Sequence, residues 1–302
     1  MSPGSERLLR EAAILRYRRG DLVTPDGAVL SYLDIGSGSP ILFIPGVGDG
    51  ERTAGAGCFT FVLGRMFQNY LRRYRLVFIT SCREPVPEGF GARDFAADYA
   101  WALEQLGIAP VHVQAISGGG PIGQWLAIDR PDLVKSLVLG ATTAHTDEHL
   151  RAIISKWLHW AKNGRWYEFN VDSITMAFTP GFVRKHRWWF LFLRCLPDPR
   201  YPQRMIRALE DLLCLDNRPH LHRITCPALI IGGDADRLIR PELQKEMARL
   251  IPNARTVMLK GLGHGAGQEA RTEHETHVLS FYSSVEAAEG AFRLPSNPTA
   301  CS

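Results

Sequence analysis

A serine lies where an apolar strand is read to run straight into a glycine-rich helix start: Val113-Gln114-Ala115-Ile116-Ser117-Gly118-Gly119-Gly120. A sharp strand-to-helix turn holds its middle residue in a strained conformation and pushes that side chain into the open. The residues two before and two after must be small, because the helix packs close to the strand there. Ala115 and Gly119 meet that demand. The backbone N–H of Gly118 then falls at a helix N-terminus, where donors without an intrahelical acceptor can hold a developing oxyanion. A serine hydroxyl is a poor nucleophile at neutral pH and needs a base within hydrogen-bond reach. Taken alone, the segment also fits a glycine-rich turn that binds phosphate or nothing. It is not a phosphate loop of the G-x-x-x-x-G-K-[ST] type, because it has no Lys, and no G-x-G-x-x-G follows the first strand of a βαβ unit.

The segment resembles the nucleophile elbow of the α/β-hydrolase superfamily, usually G-x-S-x-G, with Ala115 in the first small position. Ala228 to Ile231 runs into Gly232-Gly233-Asp234-Ala235-Asp236-Arg237-Leu238-Ile239-Arg240-Pro241, which is similar to the family's acid loop. The match makes Asp236 the acid, with Asp234 as its nearby competitor. Thr256 to Leu259 leads into Lys260-Gly261-Leu262-Gly263-His264, similar to the family's last catalytic loop. The chain order Ser, Asp, His is the one expected for the family. Phe43-Ile44-Pro45-Gly46-Val47-Gly48 resembles the H-G-x-G loop, with Pro45 where His is common. It implies that the backbone N–H of Val47 pairs with that of Gly118 in an oxyanion hole.

The resemblance covers roughly Asp21 to Ser284 apart from a cap. It implies attack by Ser117, with His264 as base and Asp236 orienting the base, and it requires no metal or organic cofactor. Dehalogenases and epoxide hydrolases of this fold carry Asp at the elbow, and Ser117 argues against both. The implied reaction is acyl transfer from a small apolar carboxylic ester or lactone. The same triad also serves thioesterases, C–C bond hydrolases and perhydrolases, and some relatives act as slow-turnover ligand receptors. Fold alone does not choose among them.

The elements that must position these residues are legible in the apolar pattern. Asp21–Thr24 and Ala28–Ile35 read as strands joined by the turn Pro25-Asp26-Gly27. Short apolar runs at Ile41–Ile44, Leu76–Ile79, Val111–Ala115, Leu137–Leu139, Ala228–Ile231 and Thr256–Leu259 suit strands buried on both faces. Helical spacing predicts helices over Asp94–Leu106, Gly118–Ile128 and Pro241–Leu250. The alternation implies an α/β fold, with a mostly parallel central sheet flanked by helices.

Residues 145–222 break the rhythm. They hold no good strand run but many aromatics, including Trp157, Trp160, Trp166, Phe169, Phe178, Phe182, Trp188, Trp189, Phe190 and Phe192. This predicts an inserted helical cap, most of whose aromatics pack it onto the sheet. Whether they also form a homodimer contact is left open. The expected division is an N-terminal extension over 1–20, a core over 21–144 and 223–285, the cap, and a flexible tail over 286–302. Arg7–Arg19 reads as a short amphipathic helix, with membrane-surface binding as the lesser alternative.

Apolar residues make up 45% of the 302, charged residues 22%, and the net charge is +4. Such a small, scattered excess excludes a nucleic-acid surface. No apolar stretch approaches the roughly 18 residues of a membrane span, and the N-terminus lacks the unbroken apolar core of a signal peptide. Cysteines 58, 82, 195, 214, 226 and 301 form no CxxC pair or metal spacing. They read as reduced thiols in a cytoplasmic protein. Asp49, Glu51 and Arg52 read as solvated.

Overall fold

The computed structural model describes residues 17–47, 65–83, 85–188, 199 and 201–292. Among these, eight strands form one sheet: β1 (Tyr17–Val23), β2 (Val29–Gly36), β3 (Ser39–Ile44), β4 (Tyr74–Ser81), β5 (Val111–Ile116), β6 (Val134–Gly140), β7 (Ala228–Gly233) and β8 (Ala254–Leu259). Their order across the sheet is β1-β2-β4-β3-β5-β6-β7-β8. β1 and β2 pair antiparallel, as do β2 and β4, and every later pairing is parallel.

The central strands read as continuous apolar runs because both faces are covered. Leu42, Val113, Ala115, Leu137 and Ile230 pack on one face with Leu103 and Leu126. Ile41, Leu76, Val138 and Leu229 pack on the other with Val278, Phe281 and Tyr282. The helices that supply these partners are α1 (Ala92–Leu106), α2 (Gly120–Asp129) and, on the opposite face, α9 (Arg271–Phe292). α7 (Pro241–Leu250) and the short α8 (Ala266–Glu269) flank the last strands.

Among the described residues four further helices lie between β6 and β7: α3 (Glu148–Lys162), α4 (Trp166–Ala177), α5 (Pro180–Lys185) and α6 (Pro202–Leu213). Asp147 caps α3 by accepting the Leu150 N–H at 2.8 Å. Trp157, Trp166 and Phe169 are buried with Leu150, Ile154 and Leu209, and pack on Leu238, Ile239 and Leu243. These aromatics join the insertion to the body. Trp189, Phe190 and Phe192 lie outside the described residues, as do Asp49, Glu51 and Arg52.

Two expected boundaries are corrected. β1 begins at Tyr17, four residues inside the predicted extension, where Tyr17 pairs with Ile35 and Arg18 with Asp34. It is an exposed edge strand, so its sequence carries no apolar run. Helix α9 continues through Glu286 to Phe292, so the predicted tail is helical over that stretch. Glu286 accepts the Tyr74 hydroxyl at 3.2 Å, which ties this part of the helix to the body. The predicted N-terminal helix falls outside the described residues except at Tyr17–Arg19, which is strand.

Among the described residues no helix is long and apolar enough to cross a membrane. Cys82, Cys214 and Cys226 are free thiols, and burial pushes the Cys226 thiol up to about 12. Cys58, Cys195 and Cys301 lie outside the described residues.

Candidate active site

Ser117 follows the last residue of β5 with φ at +52°. A residue with a Cβ rarely adopts the left-handed region, and does so only where its surroundings hold it there. Two features hold it. The Thr142 hydroxyl, just beyond β6, donates to the Ser117 carbonyl at 2.7 Å. Helix α2 also packs so close to β5 that a Cβ on Gly123 would sit 2.6 Å from the Ala115 Cβ. The smallness of Ala115 therefore has a partner on the helix. An Ala in the usual Gly position is accommodated because position 123 is Gly.

The loop after β3 lies against this turn. Pro45 to Val47 passes beside Ser117 and Gly118, and a Cβ on Gly118 would overlap the Val47 side chain and lie 3.2 Å from the Val47 nitrogen. The Val47 and Gly118 backbones therefore approach side by side next to the serine. Gly118 lies in the first turn after β5, where a helix leaves its N–H without an internal acceptor.

His264 stands at the end of the loop after β8. Its Nε2 is 2.9 Å from Ser117 Oγ and its Nδ1 is 2.9 Å from Asp236 Oδ2. A carboxylate only accepts, so Nδ1 carries the proton and Nε2 is left to accept from the serine hydroxyl. The side chain of Asp236 is fully buried and its lone pairs are occupied. Oδ1 accepts the N–H groups of Leu238 and Ile239 at 2.8 and 2.9 Å. Gln244 Nε2 approaches Oδ2 at 3.4 Å and donates to the Ile239 carbonyl at 2.9 Å. Burial of a carboxylate is tolerated when such donors replace water. Asp234, its competitor, is exposed and instead accepts the Gly261 N–H at 2.6 Å. It shapes the turn that leads to His264.

The helical insertion grips this same loop. The Ala177 carbonyl accepts the Gly265 N–H at 2.6 Å, and Phe178 packs on Gly265. Glu269 accepts the Thr179 N–H at 2.8 Å and the Thr179 hydroxyl at 2.6 Å. Arg237, beside the acid, donates to the carbonyls of Thr175 and Phe178. Sequence reasoning did not single out Thr142, Gln244 or Glu269. Each lies on another element, and its motif-free surroundings give no signal.

Residues 45–176 match the family model described as the alpha/beta hydrolase fold. Over 277 residues the chain is 29% identical to the non-heme bromoperoxidase BpoC of Mycobacterium tuberculosis, covering 85% of this chain and 99% of that one. The crystal structure of BpoC superposes with a TM-score of 0.71 at 26% identity, over 85% and 96% of the two chains. The hydrolase MGS-M2, from a deep-sea metagenome library of the Medee basin, superposes with a TM-score of 0.76 at 22% identity, over 87% and 97%. The carbamate hydrolase RutD of Caulobacter vibrioides is 26% identical over 211 residues, covering 69% of this chain and 77% of that one. The chain has the α/β-hydrolase fold.

A cavity of about 60 Å³ opens beside the serine turn. Gly46, Val47 and Gly118 form one wall, Phe95, Tyr99 and Ile122 another, and α6 closes it with Arg204, Met205, Ala208 and Asp211. The cavity is mainly apolar, with the two charged residues at separate points of the α6 face. Burial raises the Asp211 carboxyl above its ordinary range, although its Oδ2 accepts the Ala92 N–H at 3.0 Å.

Proposed function

We propose that this protein is a serine hydrolase that cleaves an ester-type acyl bond, in a carboxylic ester or lactone, through an acyl-enzyme. The observation that carries this reading is the unbroken hydrogen-bond chain from Ser117 Oγ through His264 to the buried Asp236. His264 Nε2 takes the hydroxyl proton as Ser117 Oγ bonds to the acyl carbon. Asp236 holds the imidazole in the tautomer that can accept, and balances the imidazolium that forms. The carbonyl oxygen becomes an oxyanion against the N–H groups of Val47 and Gly118. One such donor is typically worth about 3 kcal/mol in the transition state. The tetrahedral intermediate then breaks its bond to the leaving alkoxide, which takes the proton from His264. Water next attacks the acyl-serine with His264 again as base, and releases the acid and the free hydroxyl.

Helices α3 to α6 form the cap of this reading, roofing the site and shaping the space for the acyl and alcohol groups. The relatives' names span bromoperoxidase and carbamate hydrolase, so the choice of ester rests on the chemistry of the site. The test is labelling with a fluorophosphonate, located by mass spectrometry, beside turnover of short p-nitrophenyl esters. Ser117 is expected to carry the adduct, with both activities lost in Ser117→Ala and His264→Ala. A wild-type protein that stays unlabelled and turns over no ester would overturn the reading.

A further inference from the structure

The α6 face of the cavity carries opposite charges at its two ends. Arg204, Ala208 and Asp211 follow at spacings of four and three, so they share one side of the helix. Seven residues of helical rise separate the charged pair by about 10 Å. Asp211 has a structural task, accepting the Ala92 N–H where α1 begins. Arg204 reaches only an aromatic ring and a tyrosine hydroxyl among the described residues. Its guanidinium lies over the Phe95 ring at 5.5 Å and beside the Tyr99 hydroxyl. Its Nη1 is buried without a hydrogen-bond partner among the described residues. Native proteins seldom leave a buried donor of a charged group unpaired. In a cavity that also touches Val47 and Gly118, the missing acceptor is one that a ligand can bring.

We propose that the acyl portion of the substrate carries a carboxylate, and that Arg204 is the specificity residue that receives it. The inference rests on the serine-hydrolase reading. The leaving group must lie within reach of His264, which protonates it. The cavity is lined by Val47 and Gly118 and not by His264, so it takes the acyl side. Asp211 repels an anion at its own end and directs the carboxylate to Arg204. Between the charges, Met205 and Ala208 offer an apolar wall for a short methylene chain. The carboxylate is a spectator, and the bonds made and broken are those of the acyl transfer already described.

The experiment compares p-nitrophenyl hemiglutarate with the neutral ester of equal chain length, p-nitrophenyl valerate, in wild type, Arg204→Met and Arg204→Lys. The ratio of the two kcat/KM values is the readout, so each variant supplies its own reference. A charge-assisted hydrogen bond remote from the reacting carbon predicts a fall of about tenfold to a hundredfold in Arg204→Met, carried by KM, with partial recovery in Arg204→Lys. Arg223→Met, at an exposed ion pair with Asp129, should leave the ratio at the wild-type value. Equal ratios in wild type and Arg204→Met would overturn the proposal while the hydrolase reading stands. Calorimetric binding of glutarate is the second readout and needs no turnover. Binding to wild type that is lost in Arg204→Met supports the carboxylate site even if no ester is cleaved and only the hydrolase reading fails. No binding to either protein overturns the proposal.

Discussion

Replacing Asp236 by Asn tests the proposed roles most directly, because the structure dictates how the amide must sit. Oδ1 accepts two backbone N–H groups, from Leu238 at 2.8 Å and Ile239 at 2.9 Å, while Oδ2 faces His264 Nδ1. An amide with its nitrogen toward the backbone would set donor against donor twice, at about 1–3 kcal/mol each. With its nitrogen toward the ring it keeps both backbone bonds and makes Nδ1 the acceptor. The second arrangement wins. The proton then moves to Nε2, which donates to Ser117 and cannot receive its proton. The expected result is a fall in kcat of about 10⁴ for the wrong tautomer, or about 5 kcal/mol of lost transition-state stabilisation. The unfolding free energy should drop by no more than about 2 kcal/mol, since the lost contacts are those to the ring and to Gln244. Turnover of p-nitrophenyl butyrate gives the rate, urea unfolding gives the stability, and the proton resonance of Nδ1–H reports the tautomer. A variant that keeps more than a tenth of the wild-type kcat would refute the reasoning.

Gly123→Ala should cost about 2 kcal/mol by overpacking α2 on β5; adding Ala115→Gly should recover much of the loss, and simple additivity in urea unfolding would deny the contact. Ser117→Val should unfold about 2 kcal/mol more easily than Ser117→Gly, because φ at +52° is open to glycine and strained for a β-branched residue. Burial lowers the His274 imidazole to about 4. The unfolded chain therefore binds this proton near pH 6.5 while the folded chain refuses it. Stability present above pH 6.5 should be lost as pH falls toward 4, by about 3 kcal/mol from this group. His274→Gln should flatten that part of the pH profile of the urea midpoint, and an unchanged profile would exclude His274 as its source.

How far the sequence could be read depended on how local each cause was. Ile41–Ile44 and Ala228–Ile231 are legible as strands because burial on both faces leaves no polar alternation to confuse the period. β1 is an exposed edge, so nothing in Tyr17–Gly20 announced it. The stretch from Glu286 reads as a flexible tail, yet α9 continues through it to Phe292, anchored by Val278, Phe281, Tyr282 and Val285. The order of Ser117, Asp236 and His264 could be matched to a pattern because each follows shortly after the C-terminal end of a parallel strand. What sorts Asp236 from Asp234 is backbone geometry: one carboxylate turns inward to the N–H groups of Leu238 and Ile239, the other outward to Gly261. Thr142, Gln244 and Arg204 were silent because their partners lie on other elements, and single side chains reaching across a fold leave no periodic trace.

The same distribution explains why the loops that carry Asp236 and His264 and the helical insertion are not independent parts. The loop that carries His264 is held from below by Asp234, at Gly261, and from above by Ala177, at Gly265, while Thr179 ties the following α8 through Glu269. The loop that carries Asp236 is held by Gln244 from α7 and, through Arg237, by the end of α4. A displacement of α4 relative to the sheet therefore strains both loops at once. Its direct cost is a few hydrogen bonds, each worth about 1 kcal/mol. The larger consequence is geometric, because the proposed acyl transfer tolerates little error at the 2.9 Å contacts on either side of the imidazole. Substitutions at the foot of the insertion, far from any substrate contact, should thus act on kcat through the alignment of His264, whereas those on the α6 face should act on KM through the cavity. The split follows from where each helix touches the body: α4 on the loops that carry the imidazole and its carboxylate, α6 on the space in front of them.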